Sequence, residues 1–338
     1  MSNFNDEKRK AKRQTLGLLS AATLGALGGF AGGLPSLALA QNKAATPGLP
    51  PGVLRIGYQK YGTLTLLKAS GALDKRLAQQ GVQLKWIEFP AGPQLLEGLN
   101  VGSVDFGTTG EAPPIFAQAA GADLVYVGNE PPAPTGEAVI VPKNSALKTA
   151  ADLKGKKIVL NKGSNVHYLL VKVLEKAGIA YKDVETIYLP PADARAAFER
   201  GSVDAWVIWD PFLAAAEKQL GARILIDGKG IVSNHQFYLA SRPYAQKNPE
   251  VLRIALEELV KVDDWGTRNL ADVTAQLSAQ IGLEPGIVEL AAKRFSYGVR
   301  PLTEQVIREQ QSIADAFTDL KLIPRKINIR DAVLNIKL

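Results

Sequence analysis

The chain has 338 residues, of which 46% are hydrophobic and 22% charged, a composition typical of a folded protein rather than a disordered one. Its length suggests about two domains, because a single hydrophobic core stops growing near ~250–300 residues. The absence of cysteine excludes disulfides, thiolate metal sites and a cysteine nucleophile. The formal net charge of +7 would suit a nucleic acid, an acidic membrane or a small anion.

Residues 1–40 have the three parts of a secretory signal peptide. A basic patch at 8–13 precedes an apolar stretch at 16–30, and Ala38-Leu39-Ala40 forms a small-x-small cleavage site. A membrane-spanning helix is the alternative, but several glycines and Pro35 make this stretch a poor spanning segment. We therefore expect export with cleavage after Ala40. Cleavage removes five basic and two acidic residues, which lowers the net charge to +4, and we expect no nucleic-acid partner.

After a flexible leader at 41–52, short apolar segments alternate with helical segments, which predicts α/β layers and mostly parallel sheets. The predicted strands are 53–58, 84–89, 104–107, 124–127, 138–141, 157–160, 185–189, 205–208, 223–226 and 237–240. Helices are predicted at 166–176 and 194–200, each closed by a glycine. Four long amphipathic helices follow at 249–269, 270–281, 285–295 and 303–320.

The order of these elements predicts two lobes. Lobe one would comprise 53–137 and 235–338, and lobe two 138–234, with crossovers at 134–137 and 227–235 that form a hinge. A weak internal repeat supports related lobes, because Ser-Val-Asp follows both Gly102 and Gly201. Ordinary turn chemistry between a helix and a strand explains this repeat equally well.

Glycine and small polar residues follow several predicted strands, at 58–65, 108–111 and 161–165. Ligands of open α/β sheets bind at the carboxyl ends of strands, and helix N-termini favour anions. The three turns together therefore predict a site for one compact anion. For any single turn, helix capping is the stronger interpretation. No Gly-Lys-Ser/Thr follows these glycines, so none of the turns is a phosphate P-loop.

Six segments of the mature chain stand in the order found in the aliphatic sulfonate-binding proteins of bacterial ABC importers. They are residues 58–60, 89–94, 109–123, 162–167, 192–198 and 209–211. From about residue 53 onward the chain resembles this family, which is related to taurine-, nitrate- and thiamine-precursor-binding proteins. The resemblance implies a type II periplasmic binding protein of the α/β class. Such a fold has two mixed, mainly parallel sheets, a hinge, and C-terminal helices on lobe one.

The resemblance also implies the function of a periplasmic substrate-binding protein. Such a protein captures aliphatic sulfonates and delivers them to an inner-membrane ABC permease for sulfur acquisition. Taurine, nitrate or a thiamine-precursor pyrimidine are the alternative ligands. We expect a monomer without a cofactor or a metal ion.

Thirteen substrate-binding residues follow from the same resemblance. They are Gln59, Thr63, Leu64, Thr65, Thr109, Gly110 and Glu111 from lobe one, and Ser164, Asn165, His167, Asp193, Trp209 and Asp210 from lobe two. The chain departs from the family at Pro190, where a threonine is usual, and at Asn165-Val166, where a serine pair is usual.

Several of these residues also have a purely structural interpretation. A sulfonate remains a monoanion and needs donors, so Glu111 and Asp193 are better explained as helix caps or dipole partners. Asp210 would either orient Trp209 or meet an amino group, and Trp209 is either a core aromatic or the wall of a tail site. His167 is either a neutral donor or a buried structural residue. The other histidine, His235, is placed on the surface or at the hinge.

An enzyme on the same scaffold is the competing class of function. A sulfinate desulfinase of related fold needs a cysteine nucleophile, and the chain has none. A pyrimidine-precursor synthase uses its own cysteine- and histidine-containing motif and acts in the cytosol, which disagrees with export. Ser164 and His167 lack the Gly-x-Ser-x-Gly turn of a hydrolase. We therefore expect a binding protein and no catalysis.

Overall fold

A computed structural model describes residues 52–337 of the chain. The predicted signal peptide and the leader up to residue 51 lie outside the described residues. The described strands are Gly52–Tyr58 (β1), Val82–Glu88 (β2), Phe106–Gly110 (β3), Leu124–Asn129 (β4), Glu137–Val141 (β5), Lys157–Leu160 (β6), Glu185–Tyr188 (β7), Ala205–Trp209 (β8), Arg223–Asp227 (β9) and Gln236–Ser241 (β10).

Twelve α-helices lie within the described residues. They are Gly62–Ser70 (α1), Ala72–Ala78 (α2), Gly92–Asn100 (α3), Ala112–Ala119 (α4), Asn165–Lys176 (α5), Pro191–Glu199 (α6), Phe212–Leu220 (α7), Arg242–Lys247 (α8), Pro249–Gly266 (α9), Leu270–Ile281 (α10), Pro285–Ala292 (α11) and Glu304–Asp319 (α12). In residues 52–337, no helix is long and apolar enough to cross a membrane.

The strands form two five-stranded mixed sheets with orders β2-β1-β3-β10-β4 and β7-β6-β8-β5-β9. In the first sheet β1 pairs in parallel with β2 and β3, whereas β10 is antiparallel to β3 and β4. In the second sheet β6 pairs in parallel with β7 and β8, whereas β5 is antiparallel to β8 and β9. The sheet with β1 and its helices is called the first lobe below, and the sheet with β6 the second lobe.

Helices cover both faces of each sheet, which explains why inner strands such as β5 and β8 are buried on both faces. In the first lobe α1, α2 and α9 pack on one face, and α3, α4 and α12 on the other. In the second lobe α5 packs on one face, and α6 and α7 on the other. The C-terminal helices lie on the first lobe as predicted, and α11 also contacts α7 of the second lobe.

Two connections join the lobes, residues 130–136 after β4 and residues 228–235 after β9. They lie side by side, because Ala133 N donates to Ser233 O and Gly228 N donates to Pro134 O, each at 3.1 Å. The residue boundaries of the lobes given above stay a prediction.

The predicted strands and helices are confirmed, with shifts at their ends. The largest shift concerns β3, which was predicted at 104–107 and runs from Phe106 to Gly110. Antiparallel pairing with β10 extends it, because Thr108 and Thr109 lie opposite Tyr238 and Phe237.

Candidate functional site

A cavity of about 60 Å³ lies between the two lobes and beside both connections, and we call it the interlobe cavity. It has room for a group of a few atoms. Its lining residues are Gln59, Tyr61, Gly62, Thr63, Gly92, Gly110, Pro113, Glu130, Ala133, Gly136, Ser164, Asn165, Trp209, Asp210, Asn234, Gln236, Phe295, Ser296 and Tyr297.

Three helices begin at this cavity. The first residues of α1, α3 and α5, together with Ser164 before α5, line it. No side chain caps the N-terminus of any of the three helices. Ser164 donates its hydroxyl to Asn161 O at 2.7 Å instead of capping α5. Uncapped N-termini expose backbone N–H groups and the positive ends of helix dipoles, so the cavity is suited to an anion.

Among the described residues, no lysine or arginine lines the interlobe cavity. Its charged residues are the carboxyls of Glu130 and Asp210. Asp210 accepts from Ala214 N at 2.9 Å, and its carboxyl lies 3.5 Å from the guanidinium of Arg294. Burial raises the pKa of Asp210 to about 7, and the charge of Arg294 opposes this rise. An anion in this cavity would therefore be held by neutral donors and helix dipoles.

Seven of the thirteen predicted residues line the interlobe cavity. They are Gln59, Thr63, Gly110, Ser164, Asn165, Trp209 and Asp210. Of these, Trp209 also meets Phe212 edge to face, with ring centroids 6.0 Å apart. The structure thus brings together predicted residues from both lobes.

The other six predicted residues lie outside this lining. Leu64 is part of the core of the first lobe, and the hydroxyl of Thr65 donates to Gln59 O at 2.9 Å. Thr109 is fully buried, and its hydroxyl donates to Gly110 O. Asp193 is exposed in the first turn of α6, where its charge favours the helix dipole.

Glu111 is neither a ligand contact in this arrangement nor a helix cap. Its Oε2 accepts from His235 N at 2.9 Å, so it binds the second connection between the lobes. Burial raises the pKa of Glu111 to about 7. Of the two placements predicted for His235, the structure agrees with the hinge, because His235 is buried in the second connection, where its ring contacts Glu130 O and Glu309.

His167 is a buried residue of the second lobe. Its Nδ1 accepts from Gly163 N at 3.2 Å, so Nε2 carries the proton and donates to the hydroxyl of Tyr181 at 2.8 Å. Burial, followed by the charge of Lys162, lowers the pKa of His167 to about 4 and keeps the ring neutral. Both ring nitrogens are used within the second lobe.

Asn165 is the direct bridge between the lobes. Its Oδ1 accepts from Ala112 N at the start of α4 at 3.1 Å, and its Nδ2 donates to Asn234 Oδ1 at 2.6 Å. Gly110 allows this approach, since a Cβ at that position would lie 2.1 Å from Asn165 Oδ1. The lobes are therefore in contact directly beside the cavity.

A second cavity of about 280 Å³ adjoins the first and shares Gln59, Tyr61 and Trp209 with it. We call it the apolar cavity, because its lining includes Phe89, Pro90, Pro191, Pro211, Phe212, Ile281 and Leu283. These residues come from both lobes. A ligand with an anionic head in the interlobe cavity could extend an apolar tail here.

Several lining residues were not predicted from the sequence. Glu130 lies in the first connection, and Phe295, Ser296 and Tyr297 follow α11. Nothing in the local pattern marks the three residues after α11, because their place depends on how a distant segment returns to the cavity. Glu130 directly follows β4, so the end of that strand was a signal that could have identified it. Gly92 lies in segment 89–94, one of the six that carry the family resemblance, and closely follows the predicted strand 84–89, a signal that could have identified it.

Comparisons with known proteins agree with this geometry. The family described as NMT1/THI5 like matches residues 77–261. An aliphatic sulfonates-binding protein of Escherichia coli (strain K12) is 46% identical over 285 residues, which are 84% of this chain and 89% of that protein.

Two crystal structures extend the comparison to the fold. The alkanesulfonate-binding protein from Xanthomonas axonopodis pv. citri, bound to MOPS, has a TM-score of 0.81 and 44% identity over 85% of this chain and 99% of its own. The periplasmic aliphatic sulphonate binding protein from Escherichia coli has a TM-score of 0.77 and 44% identity over 86% of this chain and 94% of its own.

The two mixed sheets, the two connections and the cavity between the lobes define a type II periplasmic binding protein. The predicted fold class is confirmed. The chain belongs to the NMT1/THI5-like family and, within it, to the aliphatic sulfonate-binding proteins.

Proposed function

We propose that this protein is the substrate-binding component of an ABC importer and that it binds aliphatic sulfonates in the interlobe cavity. The observation that carries the proposal is the set of three uncapped helix N-termini around a small cavity. A sulfonate keeps one negative charge and three acceptor oxygens at physiological pH. These oxygens can accept hydrogen bonds from the backbone N–H groups at the three helix N-termini. The relatives bind sulfonates by their names, and one of them holds MOPS, itself a sulfonate.

The apolar cavity supports an aliphatic or aromatic tail on this ligand. It lies directly beside the head-group site, and most of its lining consists of prolines, aromatic rings and aliphatic side chains of both lobes. Lys60, Glu88 and Arg195 are the charged residues of this lining. Each methylene buried there is worth about 0.8 kcal/mol, or about fourfold in Kd. Nitrate has no tail, and taurine carries a charged amino group, so neither would use this second cavity.

The protein is a binding protein rather than an enzyme. The relatives at 44–46% identity are binding proteins. Within residues 52–337, no group of three or more histidine, aspartate or glutamate side chains is placed to hold a metal ion. We infer further that residues 1–40 are cleaved, that the mature protein acts as a monomer in the periplasm, and that it delivers its ligand to a permease. Mass spectrometry of periplasmic protein should then find Gln41 at the N-terminus.

Calorimetry with residues 41–338 tests the ligand. A series from methanesulfonate to hexanesulfonate should bind with a Kd that falls about fourfold per methylene. The buffers must contain no sulfonate, since MOPS occupies one relative. Binding of nitrate, taurine or a pyrimidine precursor in preference to every alkanesulfonate would contradict the proposal.

A matched pair of variants tests the tail site separately. Leu283→Gln should flatten the dependence on tail length and leave the Kd of methanesulfonate unchanged, because Leu283 lines only the apolar cavity. Leu320→Gln is the control, since Leu320 is already exposed and lines neither cavity. An unchanged slope in Leu283→Gln would place the tail elsewhere.

A further inference from the structure

Glu130 is a cavity-lining carboxyl that shares a hydroxyl with a second buried carboxyl. The Oγ1 atom of Thr63 lies 2.7 Å from Asp263 Oδ1 and 3.0 Å from Glu130 Oε1. The hydroxyl of Tyr238 lies 2.5 Å from the same Glu130 oxygen. All four side chains are buried.

The hydrogen bonds indicate where a proton must be. The hydroxyl of Thr63 has one proton and cannot donate to both carboxyls. Burial raises the pKa of Asp263 as well, but Asp263 also accepts from Val299 N at 2.7 Å, and this second donor favours its ionised form. The proton of Thr63 then belongs to the shorter contact with Asp263. The contact between Thr63 and Glu130 is a hydrogen bond only if Glu130 is protonated and donates.

The surroundings of Glu130 favour this neutral form. Burial, followed by the charge of Asp263, raises the pKa of Glu130 to about 8. The other titratable groups that face the pair are Tyr61 before α1, Tyr238 on β10, Tyr297 after α11, Asp264 next to Asp263, and His235, whose ring contacts the backbone oxygen of Glu130. Within residues 52–337, none of the groups acting on Glu130 is a lysine or an arginine.

We propose that Glu130 serves the ligand site as a neutral acid, and that a monoanion binds in the interlobe cavity only while Glu130 keeps its proton. This inference rests on the proposed function. An ionised Glu130 would place a second negative charge in a cavity whose lining holds no cation. Binding above the titration of Glu130 must therefore take up one proton.

The effect would distinguish ligands by charge as well as by shape. A neutral Glu130 allows a monoanion, whereas an ionised one repels it. Below about pH 8 the protonation of Glu130 should not limit the affinity for alkanesulfonates, and any change near pH 7 belongs to Asp210, which lines the same cavity. Above about pH 8 the Kd should rise about tenfold per pH unit, since only the protonated fraction binds.

Calorimetry with butanesulfonate between pH 6.5 and 9.5, in buffers free of sulfonate, tests this inference. We expect Kd to rise at least tenfold over this range, and two buffers of different ionisation enthalpy to show uptake of about one proton at the upper end. Glu130→Gln removes the carboxyl that titrates and should therefore lose the rise in Kd above pH 8, keeping only the change near pH 7 that ionisation of Asp210 causes. Asp264→Asn, which removes a neighbouring exposed carboxylate, should keep the wild-type profile.

A wild-type Kd that does not change with pH would overturn the inference, and so would a Glu130→Gln protein that keeps the rise in Kd above pH 8. Infrared difference spectra of the ligand-free protein give a second readout. The C=O band of protonated carboxyls should weaken between pH 6.5 and 9.5 in the wild type, and the part of this change that belongs to Glu130 should be absent from Glu130→Gln, while Asp210 and Glu111 titrate in both proteins. If butanesulfonate fails to bind at pH 6.5, the proposed function fails, while the infrared measurement still decides whether Glu130 is a neutral acid.

Discussion

The two lobes have the same strand pattern but differ in the contacts that residues at equivalent positions make. In each sheet one strand, β1 or β6, has a parallel neighbour on either side. Each sheet also has one antiparallel strand, β10 or β5, which follows a connection between the lobes. The helix-to-strand turns before β3 and β8 each contain a glycine with positive φ, Gly102 at 74° and Gly201 at 68°. The internal repeat in the sequence therefore marks equivalent turns in the two lobes.

The aspartates of this repeat make the same backbone contact. Asp105 accepts from Arg55 N and Asp204 accepts from Lys157 N, each at 2.8 Å. Asp105 is buried and also binds the guanidinium of Arg55 through Nε and Nη2, whereas Asp204 is exposed. The same local motif therefore contributes differently to the stability of the two lobes, because its neighbouring residues differ.

The two antiparallel strands also begin differently. Gln236 starts β10 and accepts from the hydroxyl of Tyr61 at 2.8 Å. Glu137 starts β5, is fully buried, and neither of its carboxyl oxygens has a hydrogen-bond partner among the described residues. Burial, followed by the charge of Glu111, raises the pKa of Glu137 well above its usual value.

Replacing Glu137 by glutamine puts the same residue type at the start of both antiparallel strands. Among the changes considered it should have the largest effect on the free energy of unfolding. A carboxyl whose folded pKa is raised contributes its full stability below the unfolded pKa of 4.5 and loses it as pH rises toward the folded pKa. The loss is about 1.4 kcal/mol per pH unit. We expect Glu137→Gln to raise the free energy of unfolding at pH 7, by at most about 1.4 kcal/mol for each pH unit above 4.5, and to leave it unchanged at pH 4.5.

Urea denaturation at both pH values measures this difference. Glu185→Gln is the control, because Glu185 is an exposed residue of β7 in the same lobe. A gain of equal size at pH 4.5 and pH 7 would show that proton release from Glu137 is not its cause.

The alanine variants of the two repeated aspartates should differ from each other in the free energy of unfolding, by a somewhat smaller amount. Asp105→Ala removes the acceptor of three donors from Arg55, and we expect a loss of about 3 kcal/mol in the free energy of unfolding. The half-exposed guanidinium limits this figure through solvent screening. Asp204→Ala removes one backbone hydrogen bond from an exposed residue and should cost about 1 kcal/mol.

The two alanine variants serve as controls for each other in one denaturation series. Equal losses would mean that the backbone contact alone carries the energy and that the ion pair with Arg55 adds nothing. In that case the turns before β3 and β8 would stabilise their lobes equally.

The strands and helices were predictable because their signals are local. The apolar segment 157–160 is β6, and the start and stop signals of 270–281 are the ends of α10. The end of β3 could not be predicted, because its pairing partner β10 lies more than 120 residues further along the chain.

The candidate site is predictable only where it follows a strand. Gln59 and Ser164 lie in such turns, and both line the cavity. Glu130 follows β4 in the same way, whereas Tyr297 reaches the cavity from a segment after α11 that carries no such signal. Glu111 has the sequence context of a helix cap, but its carboxylate binds His235 N, a contact that exists only after the second connection has returned to the first lobe.

An effect on ligand binding is expected at one contact between the two lobes, that of Gly110 with Asn165. Gly110 has no positive φ, so alanine fits its backbone, but the new Cβ would lie 2.1 Å from Asn165 Oδ1. Asn165 cannot yield freely, because Ala112 N and Asn234 hold both ends of its amide. Overpacking of this kind costs about 2 kcal/mol, so Gly110→Ala should raise the Kd of butanesulfonate about 30-fold.

Calorimetry on the Gly110→Ala and Gly286→Ala variants isolates this contact, since a Cβ at Gly286 meets nothing within 4 Å. Combining Gly110→Ala with Asn165→Ala should weaken binding less than the sum of the two single changes, because the obstruction is removed together with its partner. Additive losses would show that closure of the lobes tolerates a side chain at position 110. The loss of affinity in Gly110→Ala would then arise from contacts within the first lobe and not from the contact with Asn165 of the second lobe.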